Sequence, residues 1–159
     1  SIVHNGEISS YDANRRYIEM FGYKCTLQTD TEVITYIADY LLRRQGLTLR
    51  EMASVIAAPF WSTIEAKPPK EREQLAYLRK VYSGLLITGP FSIVLGYNGG
   101  LMALNDRLKL RSMVVGEKDD LVLIASEEAA IRKMEPDARN IYAPDGGEPV
   151  IVQVKEGAF

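Results

Sequence analysis

Cysteine and histidine are nearly absent from this chain, which carries one of each, Cys25 and His4. A metal site of the usual zinc type, built from several nitrogen and sulfur ligands, is thereby excluded. So is an internal disulfide, and a reducing cytoplasm is the expected setting. A surplus of charge is missing too: 19 basic residues face 21 acidic ones, a formal net charge of −2, with the signs interspersed. That balance provides no field for nucleic acid or an anionic membrane as partner. No apolar run approaches the ~20 residues needed to cross a bilayer. Glycines 96, 99 and 100 lack the strand-to-helix setting and the lysine of a phosphate loop, so no nucleotide site is read there.

What remains is the composition of an ordinary globular domain, 47% apolar and 25% charged over 159 residues, enough for one domain with a sizeable core. The first residues, "SIVHN", read as the interior of a strand, and the end, "VKEGAF", carries no stop signal. The expectation is a piece of a longer polypeptide.

Helices crowd the first half. Residues 10–21 have Tyr11, Ile18 and Phe21 at near-helical spacing before Gly22, and "YKCTL" (23–27) reads as a brief strand. "TDTEVITYIADYLLRRQG" is the clearest helix, capped by Thr29 or Asp30, with an apolar stripe of Val33, Ile34, Ile37, Tyr40 and Leu41. Residues 47–58 begin with Thr48 and Glu51 in capping-box spacing. A proline-bounded connector follows, then a helix over 70–85 with Leu75, Leu78 and Val81/Tyr82 inward. From Gly89 the pattern changes to strands: "PFSIVLGY", "GLMALND", "SMVVGE" and "DLVLIAS", with Asn98-Gly99 and Asp119-Asp120 as turns. A short helix (127–134) and a last strand (148–154) complete the series. "FSIVL" and "LVLIA" read as buried on both faces. A layered α+β architecture follows, two packed sheets under helices.

Two places carry candidate chemistry. Asn98-Gly99 is explained as a hairpin turn, but Asn5-Gly6 ends a strand whose continuation leads into a helix. An Asn amide beside a Gly N–H supplies two donors, the material of an oxyanion hole, and glycine lets a carbonyl approach the backbone. On these residues alone a simple turn fits as well. Asp30, at a helix start with Glu32, is either a cap or a holder for a substrate ammonium.

In combination, "HNGEISSY" followed by "TDTEVI", with Asp30 25 residues after Asn5, resembles the glutaminase domain of class II glutamine amidotransferases, which are N-terminal-nucleophile (Ntn) hydrolases. "GPFSIVLGYNGGLMALNDRLKLR" is similar to the family's strand pair running into an "RDR-x-G-hydrophobic-RP" segment, with Asn105 and Lys109 in place of the usual Arg and Gly. "LIASEEAAI" resembles the "ASE" turn. The insert from Ala58 to Ile93 most resembles the amidotransferase domain of archaeal-type glutamate synthases, so the likeness covers nearly the whole chain.

The resemblance implies a four-layer αββα sandwich lacking its first strands, with residues 1–159 as one domain, the C-terminal portion of such an amidotransferase domain. It implies that Asn5 (side-chain amide) and Gly6 (N–H) form the oxyanion hole for the glutamine side-chain amide and that Asp30 binds the α-ammonium of glutamine. Asp106, Arg107, Ser126 and Glu127 would have structural roles. Ammonia would pass to a synthase domain or subunit using 2-oxoglutarate. No cofactor is expected in this domain, any flavin or iron–sulfur centre belonging to the partner.

The family's nucleophile, an N-terminal Cys whose own amino group is the base, and its carboxylate-binding Arg are expected in a segment before "HNG". Cys25 lies mid-chain and reads as a small buried hydrophobe. Ser1 is roughly 13 Å from Asn5 at strand rise, too far to attack a carbonyl held there. His4 should face away from Asn5. The alternatives are a non-catalytic, glutamine-binding or scaffold module and an unrelated α+β binding domain; the last requires Asn5 and Asp30 to face different surfaces.

Overall fold

The computed structural model describes residues 1–154. Strand β1 (Ile2–Gly6) leads through a turn into helix α1 (Tyr11–Glu19), and helix α2 (Asp30–Asp39) continues into a π-turn over Tyr40–Arg44. Helices α3 (Leu49–Ile56), α4 (Trp61–Glu65) and α5 (Pro69–Val81) follow, then a 3₁₀ turn, Ser83–Leu85. The second half runs β2 (Phe91–Tyr97), β3 (Gly100–Asn105), β4 (Val114–Lys118), β5 (Leu121–Ala125), α6 (Glu128–Met134), β6 (Arg139–Tyr142) and β7 (Val150–Gln153).

All strand pairs are antiparallel. One sheet has the order β1-β2-β3-β7 and the other β5-β4-β6. Alternation assigns the two faces of the larger sheet. Ile2, His4, Ile93, Leu95, Met102 and Leu104 share the face packed under the helices, where Phe91, Val33, Ile34, Ile37, Leu41 and Met52 complete the main core. Val3, Asn5, Ser92, Val94, Ala103 and Asn105 share the other face. That face is unevenly covered: Ala103 and Asn105 are fully buried, whereas Val3 is 69% exposed.

Local chemistry accounts for the helix starts. The Thr29 hydroxyl accepts from Glu32 N–H (3.2 Å), and Thr48 and Glu51 close a reciprocal capping box. Pro69 opens α5, where its missing N–H costs nothing.

Five expectations are corrected. Residues 23–27 form no strand: the buried Glu32 carboxylate accepts the Thr26 and Leu27 N–H groups (2.9 and 2.8 Å), so a side chain takes what a ladder would have used. Of the Val81/Tyr82 pair only Tyr82 packs against the main core, while Val81, at the end of α5, is 45% exposed. "LVLIA" is not buried on both faces: β5 is an edge strand with Leu121 56% exposed. The connector contains α4, and β6 is an additional strand. The Asn98-Gly99 turn forms as expected, Tyr97 pairing with Gly100 and Gly99 at φ +90°.

Candidate functional site

Strand β1 is the edge of its sheet, and its register decides which way each group points. Ser1 and Gly96 exchange both backbone hydrogen bonds, and Glu7 N–H donates to the Pro90 carbonyl (3.1 Å). With Val3 opposite Val94 and Asn5 opposite Ser92, the odd residues bond to β2 and the even ones turn their N–H groups away from it. The Gly6 N–H therefore points off the open edge of the sheet. Two residues on, the Ile8 N–H points the same way and is taken by Asp30 Oδ2 at 2.9 Å.

Gly6 is demanded by packing as well. Its φ is +145°, and a Cβ there would lie 2.1 Å from the Pro90 carbonyl oxygen and 2.9 Å from Phe91 Cα. Backbone passes so close that no side chain fits.

The Asn5 side chain leaves the face of the strand, and no hydrogen bond to its amide forms among the described residues. It lines a cavity of about 450 Å³ with Ser92, Arg111, Ile124 and Ser126, between the uncovered part of the larger sheet and the end of β5. The Asn5 amide and the Gly6 N–H thus flank one corner of β1. Asp30 lies further along the edge at the start of α2 and is not among the residues lining the Asn5 cavity.

His4 turns to the helix side, opposite Asn5, as alternation requires. Its Nε2 is buried without a hydrogen-bond partner. Burial pushes the imidazole below the ordinary histidine value, Arg111 adds to this, and Asp30 opposes it. Ser1 sits at the far end of β1, in extended pairing with Gly96. Cys25 is buried, and desolvation, then Glu32 and Glu19, raise its thiol pKa. Neither presents a nucleophile to Asn5.

The loop after β3 supports the cavity wall. The Asp106 carboxylate, 2% exposed, accepts four backbone N–H groups: Leu108 and Leu110 on Oδ1, Phe91 and Arg111 on Oδ2. This fastens the loop to the start of β2 and places Arg111. Lys109, standing where the resembled family has glycine, adopts φ +56°. Glu127 precedes α6 without a side-chain cap bond. Sequence reading gave no role to Ser92 or Arg111, although the register makes Ser92 the direct neighbour of Asn5.

Among the described residues no group of three or more His, Cys, Asp or Glu side chains is placed to hold a metal ion. No helix among them is long and apolar enough to cross a membrane.

No family model matches the chain. It is 48% identical over 155 residues to an uncharacterized protein of Archaeoglobus fulgidus, spanning 98% of this chain and 41% of that protein. It is 28% identical over 135 residues to a putative glutamine amidotransferase of Methanothermobacter thermautotrophicus, 84% of this chain and 35% of the relative. The chain thus spans about two fifths or less of these curated relatives. Among solved structures, it superposes with TM-score 0.59 on the glutamine phosphoribosylpyrophosphate amidotransferase of B. subtilis, at 16% identity, covering 96% of this chain and 26% of that one. The fold therefore matches part of that solved chain, mixed α and β with antiparallel sheets, and further relatives are named an amidophosphoribosyltransferase of Methanocaldococcus jannaschii (25% identical, 99% of this chain and 26% of the relative) and a glutamine–fructose-6-phosphate aminotransferase of Xylella fastidiosa (37% identical over 57 residues, 36% of this chain and 9% of the relative).

Proposed function

We propose that residues 1–159 are the C-terminal portion of a class II, Ntn-type glutaminase domain in a four-layer αββα sandwich. It would release ammonia from glutamine for a glutamate synthase-type partner. The observation that carries this reading is the corner of β1, where an unbonded amide on Asn5 adjoins a Gly6 N–H turned away from its ladder.

The chemistry follows from that corner. A thiolate supplied by residues outside 1–159 attacks the side-chain carbonyl carbon of glutamine. The oxygen gains negative charge, and the Asn5 amide and Gly6 N–H hold it. The carbon–nitrogen bond breaks as the proton given up by the thiol passes to the leaving nitrogen, ammonia departs, and water hydrolyses the thioester to glutamate and the free thiol. Asp30 would receive the substrate ammonium. It lies on the same strand edge, with Oδ2 committed to Ile8 N–H and a second oxygen left for a ligand. The uncovered strip around Val3 and Val94 and the open edges of β1 and β5 would take the strands that complete the layers. The insert from Ala58 to Ile93 favours glutamate synthase as the destination of the ammonia, and no cofactor is assigned to this domain.

The test is ammonia release from glutamine by the full-length protein. Asn5→Ala should lower kcat by about 10²–10³ with little change in KM, and Asp30→Asn should mainly raise KM. Residues 1–159 alone should release none. Undiminished turnover in Asn5→Ala would overturn the assignment. A full-length protein that binds glutamine without turnover would instead be the non-catalytic module.

A further inference from the structure

A second cluster lies away from the Asn5 corner, around the segment between α3 and α4. Arg107 and Arg79 clamp this segment from two elements. Arg107 donates to the Ala58 carbonyl (3.3 Å) and Arg79 to the next carbonyl, Pro59. Their guanidinium carbons sit 4.6 Å from the ring centres of Phe60 and Trp61, also consecutive. Both rings remain about two-fifths exposed, Phe60 at 42% and Trp61 at 41%.

Neither arginine has a carboxylate partner among the described residues. Burial first, then the Arg107 charge, lowers the Arg79 pKa. Two arginines held by the same segment with no carboxylate partner gather positive charge where an anion would be favoured. Each guanidinium has five N–H donors, of which the carbonyls engage one. Beside Arg79 is a cavity of about 400 Å³, walled by Val55, Ala58, Trp61 and Leu86 and edged by Lys80 and Ser83. That volume lies within the range of small-molecule sites.

We propose that this cluster is a binding site for a small organic oxyanion, its carboxylate or phosphate group on Arg79 with Arg107 and Lys80 adding positive charge, and its body in the adjoining cavity. The carbonyl bonds and ring stacking pre-orient the guanidiniums, so little side-chain entropy is lost on binding. The site is separate from the proposed glutaminase corner and does not depend on it.

Thermal unfolding of the full-length protein with inorganic phosphate, with acetate, and with chloride at equal ionic strength tests the proposal. Phosphate or acetate should raise Tm saturably beyond chloride. Arg79→Gln should raise the half-saturating concentration by roughly tenfold or more, the loss of a charge-assisted hydrogen bond, and Arg107→Gln, which removes only a neighbouring charge, by about two- to fivefold. Lys133→Gln, on α6, should leave it unchanged. Arg79→Lys, which keeps charge but loses the planar fork, should also raise it and serves if the Gln variant does not fold. Selectivity for phosphate would identify a phosphorylated ligand, and an equal or better response to acetate a carboxylic acid. Wild-type stabilisation no greater than with chloride, or a gain that persists in both Gln variants, overturns it.

Discussion

Asn5 and Gly6 are neighbours whose substitution should fail in different ways, and the difference separates chemistry from architecture. Asn5 is exposed and bonded to nothing described, so Asn5→Ala should change unfolding free energy by no more than about 0.5 kcal/mol while turnover falls. Gly6→Ala would press a methyl group into the Pro90 carbonyl and should cost about 3 kcal/mol or more in denaturant unfolding. Lys109 is the converse case. It holds a left-handed conformation that disfavours side chains, so Lys109→Gly should stabilise by up to about 1 kcal/mol despite losing the Nζ bond to Ala143. Histidine 4 provides a pH signature. Its folded pKa lies below the ordinary 6.5, so just below that pH the unfolded chain binds a proton that the folded chain does not. Stability therefore falls as pH drops through 6.5, and His4→Gln should flatten that part of a Tm-against-pH curve.

At the scale of elements, helices were legible because their signals are local. Thr48 and Glu51 form their box within one turn, and Thr48→Ala should cost about 1 kcal/mol by chemical denaturation. Strands were less so. "YKCTL" has the composition of a strand, yet Glu32 takes its N–H groups; β6, a short edge strand with exposed Arg139 and Asn140, has no apolar alternation to detect. Of the candidate site, Asn5, Gly6 and Asp30 are named through the family resemblance that their two motifs carry together. Ser92 and Arg111 are not, since only strand register and the Asp106 amide cluster bring them to the cavity. Removing that cluster's centre, Asp106→Ala, would leave four backbone N–H groups without their acceptor, that of Phe91 fully buried, and should cost about 2–3 kcal/mol.

At the scale of the whole chain, composition bears on partners: a net charge of −2 with interspersed signs gives no broad field for a polyanion, and one Cys and one His give little material for a zinc centre. Periodicity settled the helix-then-strand order, because amphipathic spacing is written residue by residue. The tertiary structure decided which donors are free. Whether the Gly6 N–H feeds a ladder or faces outward depends on pairing with β2, some 85 residues on, and on β1 being an edge. Likewise, two arginines 28 positions apart, Arg79 and Arg107, meet on consecutive residues of a third segment only after the chain has folded. Sequence encodes such groups as types; long-range backbone pairing and close packing assign them partners and decide which are left over.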